Sequence, residues 1–215
     1  MITNRVIPTV FALSIDEFNE KFSKLVKFAS AMQIDFMDGV FVPAKSIPLS
    51  IILDLKKYKI AFEAHLMVSD PERWIVECGE KGFNTIIIHI ESLKNTERGL
   101  DLIHRIRRVG ARPLIAINPE TSMERLDVFL KNTDGVLVMG VCPGKENQEL
   151  SPNTVRRIIT LKKRGLIVQV DGGVNDKTIN LLVAAGVDAV NVGSYIANAK
   201  DSKGAYENLV NAFKK

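Results

Sequence analysis

The chain has 215 residues, with 29 lysines and arginines against 25 aspartates and glutamates (net charge +4) and two cysteines. With 46% hydrophobic and 25% charged residues, its balance is that of a globular domain and excludes a disordered, collagenous or coiled-coil chain. Apolar runs are strand-sized, well under the roughly 20 residues of a membrane span. No cleavable leader pattern is read at the start, and two cysteines make no disulfide framework, so a cytoplasmic setting without a membrane partner is expected. Basic residues are scattered at helical spacing and only 7% of residues are aromatic, so no nucleic-acid partner is expected either.

Along the chain, short apolar runs alternate with amphipathic stretches. Strands are predicted over 6–12, 32–37, 60–67, 85–90, 113–117, 135–141, 167–170 and 189–192. Helices are predicted over 14–28, 70–81, 96–109, 122–131, 151–164, 176–185 and 205–213. Ser14 with Glu17, and Ser69-Asp70 before Pro71, read as helix caps, and Gly82, Gly110, Gly165 and Gly186 read as helix stops. The stretch 38–59 is the least regular, a long loop before a short helix. Strand–helix alternation implies parallel strands with right-handed crossovers, and non-alternating apolar strands imply burial on both faces. Eight such units predict a single (β/α)8 barrel domain spanning 1–215, α/β in class, with an open six-stranded sheet as the rival.

The active site of such a barrel lies at the C-terminal strand ends. Period 2 puts Gln33, Asp35 and Met37 on one face of the second strand, and Glu63, His65 and Met67 on one face of the third. With Asp171 ending the seventh strand, two carboxylates, an imidazole and the amide oxygen of Gln33 are expected to converge. Buried like charges repel unless a cation lies between them. Gly172-Gly173 and Gly193-Ser194 follow the seventh and eighth strands and precede helices, where backbone amides can hold a phosphate.

The segments IDFMDGVFVP, AHLMV, INPET, VDGGV and VGSYI, running in order through residues 7–197, resemble the ribulose-5-phosphate 3-epimerase family. The resemblance implies a barrel that inverts C3 of a pentulose phosphate, interconverting D-ribulose 5-phosphate and D-xylulose 5-phosphate through an enediolate. It makes Asp35 and Asp171 the catalytic acid and base. It makes Gln33, Asp35, His65 and Asp171 the ligands of one divalent ion (Mg, Mn, Fe or Zn). It places Thr9, Met37, His65, Met67, Met139, Gly144, Lys145, Gly172, Gly173, Gly193 and Ser194 around a small-molecule sugar phosphate. A homo-oligomer is compatible with it, although no exposed apolar stripe is legible.

The chain departs from the family pattern in three places. Gln33 stands where the family has a histidine ligand, so a weaker site leaning from zinc towards magnesium or manganese is expected. The family's glycine-rich PGFGGQ loop reads Pro143-Gly144-Lys145-Glu146-Asn147-Gln148, with Lys145 offering charge in place of glycine backbone. Thr9 replaces a serine and keeps the hydroxyl. An epimerase of another ketose phosphate, such as allulose 6-phosphate, and a sugar-phosphate-binding barrel without turnover stay open. The Asp-x-Lys-x-x-Asp pattern of orotidine-phosphate decarboxylases is absent, since residues 35–38 read Asp-Phe-Met-Asp. His89 is expected to be a packed structural residue, His104 to face solvent, Trp74 to pack on a helix, and Cys142 to lie near the mouth without an obvious cationic partner.

Overall fold

The computed structural model describes residues 5–214. Eight strands, β1 (Val6–Val10), β2 (Ala31–Met37), β3 (Ala61–Met67), β4 (Thr85–His89), β5 (Arg112–Ile117), β6 (Gly135–Met139), β7 (Val168–Asp171) and β8 (Ala189–Val192), pair in parallel in sequence order. β8 closes on β1, so the open sheet is excluded. The helices are α1 (Ile15–Leu25), α2 (Glu72–Lys81), α3 (Thr96–Arg108), α4 (Thr154–Lys163), α5 (Ile179–Ala184), α6 (Ser194–Ala197) and α7 (Ser202–Ala212). Among the described residues, no helix is long and apolar enough to cross a membrane.

The alternation of side chains divides the core. Met32, Ile34 and Phe36 of β2 point outward into the large apolar layer beneath the helices, where Phe36 meets Trp74 and Phe83. Ile87, Leu114, Ala116, Leu137 and Met139 form a separate cluster. Elsewhere polar side chains take such positions: Gln33, Glu63, Gln169 and Asn191 are all buried.

Three expectations need correction. Residues 122–131 form no α-helix but a 3-10 turn, Met123–Leu126, continued by bonds three residues apart from Phe129 to Leu126 and from Asn132 to Phe129. Leu126 and Phe129 are both buried and three residues apart, which a three-residue repeat aligns on one side. The short helix α6 was not expected. Ser69-Asp70 caps nothing: α2 begins after Pro71 with no side-chain cap, because Ser69 is engaged elsewhere. Ser14, by contrast, accepts from the Glu17 amide, and the four expected stop glycines all have positive φ.

Ser69 belongs to a clamp that organises the loop after β2. Its backbone N–H and its hydroxyl both donate to Asp38 Oδ2 at 2.7 Å. Asp38 Oδ1 accepts from the amides of Val40 and Phe41 at 2.9 and 2.8 Å. The loop thus held carries Phe41, whose ring lies 4.9 Å from that of His89, and Val42, which packs on Met37 and Met67. Gly144 backs directly on Val42: a Cβ there, at φ +88°, would lie 2.7 Å from the Val42 Cβ. The loops after β2 and β6 are therefore in contact over the barrel mouth.

Burial alone would raise the Asp38 carboxyl, but the bonds from Ser69, Phe41 and Val40 outweigh it and hold the group at about 2, below its ordinary 3.8. A depressed carboxyl contributes stability above its unfolded value and loses it as pH falls through its folded value. Asp38→Ala is expected to lower the melting temperature at pH 7 by about 2–4 °C, the shift roughly 1 kcal/mol makes in a domain of this size. In melts followed by circular dichroism, the gap between parent and variant closes as pH falls from about 4 towards 2; a gap independent of pH would refute the clamp.

Candidate active site

The strand register brings the expected residues together. Thr9 lies beside Gln33, Gln33 beside Glu63, Asp35 beside His65 and Asp171 beside Asn191. One atom each from Asp35, His65 and Asp171, all buried, lies within 4.8 Å of the other two. His65 Nδ1 is 3.0 Å from Asp35 Oδ1 and 3.3 Å from Asp171 Oδ2.

Gln33 is oriented otherwise than expected. Its amide nitrogen, not its oxygen, faces this cluster, donating to Asp35 Oδ1 at 2.9 Å and to Asp171 Oδ2 at 2.6 Å. Its oxygen accepts from Asn191 Nδ2 at 2.6 Å. Both N–H bonds of one amide therefore tie the two aspartates together. The lone-pair donors Asp35, His65 and Asp171 fit a divalent cation; Gln33, as it is turned, does not, because an N–H cannot ligate a metal.

His89 is fully buried, as a packed residue would be, and its Nε2 lies 2.8 Å from His65 Nε2. Its Nδ1 is 3.3 Å from Glu91 Oε2, and Glu91 Oε1 accepts from the Asn118 amide. A carboxylate only accepts, so His89 donates from Nδ1 to Glu91 and accepts at Nε2 from His65. That leaves His65 Nδ1 facing two carboxylates, a position that needs a proton or a cation. Burial disfavours the charged imidazole, but hydrogen bonds and charge from Asp171 and Asp35 outweigh it and raise the His65 affinity for a proton. Burial raises Asp35 against the opposing pull of His65 and Gln33, and burial lowers His89. Periodicity puts Glu63 on the face of His65, but nothing in the sequence signals that His89, Glu91 and Asn191 connect to the cluster.

Above the cluster opens a cavity of about 430 Å³. Its walls include Thr9, Met67 and Met139, and its far side is made by Gly172-Gly173, Gly193-Ser194 and the loop carrying Gly144 and Lys145. Met37 stands outside this lining, packed with Val42 and Met67. Gly172 and Gly173 both have positive φ, and a Cβ on Gly173 would lie 2.7 Å from the Leu150 Cα. Lys145 is exposed on the rim, and the loop is braced by Gln148, which donates to the carbonyls of Cys142 and Lys145. Glu146 has no counterpart in the expected site. Its Oε2 is 3.5 Å from Lys21 Nζ, while its Oε1, buried and without a partner, lies 3.4 Å from where a Cβ on Gly193 would stand. His104 and Cys142 are exposed, away from the cluster's hydrogen bonds.

Comparison with known proteins bears on the fold and the family. Among solved structures, KGPDC from Streptococcus mutans in complex with D-R5P superposes with a TM-score of 0.78 over 98% of this chain and 97% of that one, at 11% identity. 3-Hexulose-6-phosphate synthase from Salmonella typhimurium superposes with a TM-score of 0.74 over 98% of each chain, at 15% identity. At such identities the likeness is one of fold. In sequence, the ribulose-phosphate 3-epimerase of Aquifex aeolicus is 34% identical over 80% of this chain and 80% of its own. That of Methanocaldococcus jannaschii is 36% identical over 82% of this chain and 76% of its own. The model of the ribulose-phosphate 3 epimerase family matches residues 5–197. With the β2 and β3 motifs and the Asp35–His65–Asp171 cluster at its strand ends, the chain belongs to the ribulose-phosphate 3-epimerase family, a family of isomerases.

Proposed function

We propose that the protein is a ketose-phosphate 3-epimerase that interconverts D-ribulose 5-phosphate and D-xylulose 5-phosphate, with Asp35 and Asp171 as the acid–base pair. The observation that carries this reading is the pairing of two buried carboxylates, from β2 and β7, through one Gln33 nitrogen at 2.9 and 2.6 Å. Both lie at the base of a cavity rimmed by glycine-rich loops.

With the sugar's C2 and C3 oxygens turned to the cluster, one carboxylate removes the C3 proton, leaving an enediolate. The other, holding a proton, returns it to C3 from the opposite face. The first carboxylate ends protonated and the second ionised, so an exchange with water resets the pair. Burial favours the protonated form of Asp35, which suits it to deliver a proton near neutral pH. His65, fixed through His89 and Glu91, presents Nδ1 to the same charge. Met67 and Met139 give the reacting carbon a weakly polar wall that excludes water. A divalent cation held by Asp35, His65 and Asp171 would stabilise negative charge developing on the C2 and C3 oxygens. Backbone at Gly172-Gly173 and Gly193-Ser194, with Lys145, takes the phosphate.

The deciding experiment is incubation of D-ribulose 5-phosphate in deuterated water with metal-stripped protein and with protein resupplied with Mg²⁺, Mn²⁺, Fe²⁺ or Zn²⁺. Deuterium is expected at C3 together with D-xylulose 5-phosphate. Binding of the sugar phosphate without exchange would move the protein to another ketose phosphate or to a non-catalytic binder. Asp35→Asn and Asp171→Asn are each expected to lower turnover by about 10²–10⁴-fold, the usual contribution of a positioned acid or base. Turnover within about tenfold of the parent would remove the residue from this role.

At the phosphate end, Lys145→Ala is expected to raise KM about tenfold, or ~1.4 kcal/mol, with kcat unchanged. Glu146→Gln, which removes a negative charge beside Gly193, shifts KM the other way. Steady-state kinetics on the two variants check both signs; movement in the same direction would place the phosphate elsewhere.

A further inference from the structure

The direction in which Gln33 is turned follows from residues on the far side of the barrel. Glu63 Oε1 accepts from Gln169 Nε2 at 3.1 Å, and Glu63 Oε2 accepts from Asn191 Nδ2 at 3.0 Å. The same Asn191 nitrogen donates to Gln33 Oε1 at 2.6 Å. All four side chains are buried. A carboxylate offers only lone pairs, so its two amide neighbours must turn their NH2 ends towards it. Asn191 then meets Gln33 with a donor as well, which obliges Gln33 to answer with its oxygen and send its nitrogen to Asp35 and Asp171. The oxygens of Asn191 and Gln169 are left buried without partners, an unfavourable arrangement that accompanies the demand of Glu63 for two donors. Turning Gln33 alone, to present its oxygen to the cluster, would set its NH2 against the NH2 of Asn191.

We infer that Glu63 and Asn191 are positioning residues that lock the Gln33 amide nitrogen-inward. The locked amide bridges Asp35 and Asp171 where a cation would otherwise sit, so that the protein binds divalent cations only weakly. The inference rests on the proposed reading of Asp35, His65 and Asp171 as the cation site. It assigns the weakness of that site to the hydrogen-bond polarity of a ladder running from Gln169 to Gln33, and not merely to the poorer donor strength of an amide.

The ladder can be reversed without changing its charge. In the double variant Glu63→Gln/Asn191→Asp, one carboxylate is lost and one gained. Gln169 can donate to the new amide's oxygen, that amide can donate to the new carboxylate, and Gln33 must donate to it too, which turns the Gln33 oxygen towards the cluster. Mn²⁺ titrations of metal-stripped protein, with free Mn²⁺ read by electron paramagnetic resonance, measure binding without reference to activity. The parent is expected to bind weakly and the double variant at least about tenfold more tightly. Asn191→Ala, which removes only the donor that holds the Gln33 oxygen outward, is expected to tighten binding severalfold, and it serves should the double variant fail to fold by circular dichroism. Gln33→His supplies an imidazole and serves as the positive control. Affinities equal to the parent's in both ladder variants would overturn the lock, as would no detectable binding in them while Gln33→His binds. Absence of binding in all proteins, the control included, would instead overturn the cation site itself and the inference with it.

Discussion

Two carboxylates are buried beside one another at the centre of this barrel, and the arrangement around them answers that constraint. Buried like charges within 4.8 Å of one another are tolerated only where protons, donors or a cation neutralise them. Here Gln33 spends both N–H bonds on the pair, and the second imidazole nitrogen of His65 is committed to His89, so that its first must face the carboxylates. Glu91 closes the second route and Asn191 the first. The loop that carries Phe41 over His89 is in turn fixed by Asp38.

Much of this was legible in the sequence, and the boundary between what was and was not is physical. The eight-fold alternation and the period-2 faces of β2 and β3 place Gln33, Asp35, Glu63 and His65 correctly, because strand geometry assigns faces from spacing alone. Which end of the Gln33 amide faces inward is not a local property. It depends on Asn191, 158 residues away, and on what Asn191 must do for Glu63. The Ser69-Asp70-Pro71 cap failed for a similar reason: Ser69 is taken by Asp38, 31 residues earlier. Residues 122–131 read as a helix because Leu126 and Phe129 share a face in either a 3.6- or a three-residue repeat, and so short a segment does not separate them. Glu146 reads only as part of the altered loop, with no role, because an irregular loop has no periodicity to say where its side chain goes.

The comparisons also separate what the fold supplies from what this chain supplies. Barrels at 11–15% identity share the architecture over nearly the whole chain, consistent with a scaffold whose strand ends are free to vary. Relatives at 34–36% identity share the epimerase name. The departures expected from the family pattern, an amide at Gln33 and a lysine and a glutamate in the loop at Lys145 and Glu146, fall where the proposed reading holds a cation or a phosphate. Under the proposed reading, Asp35 and Asp171 keep their places while their surroundings differ, because the donors that face them, Gln33 and His65, stand on other positions of the barrel.

The amide ladder also bears on how the molecule is assembled. Its members stand on β2, β3, β7 and β8, and its bonds join residues 106, 128 and 158 positions apart. If the chain is cut between β4 and β5, one half holds the acceptors Glu63 and Gln33 Oε1 and the other holds the Gln169 and Asn191 nitrogens that donate to them, so none of these three bonds can form within a half. Unpaired polar groups in an apolar interior are costly, so a half-barrel has reason to stay open and hydrated until its complement arrives. Closing the ring, an event of high sequence separation and therefore slow, is the same event as building the site. A partly folded chain of this protein would lack the cluster altogether, because the groups that hold Asp35 and Asp171 have not yet met.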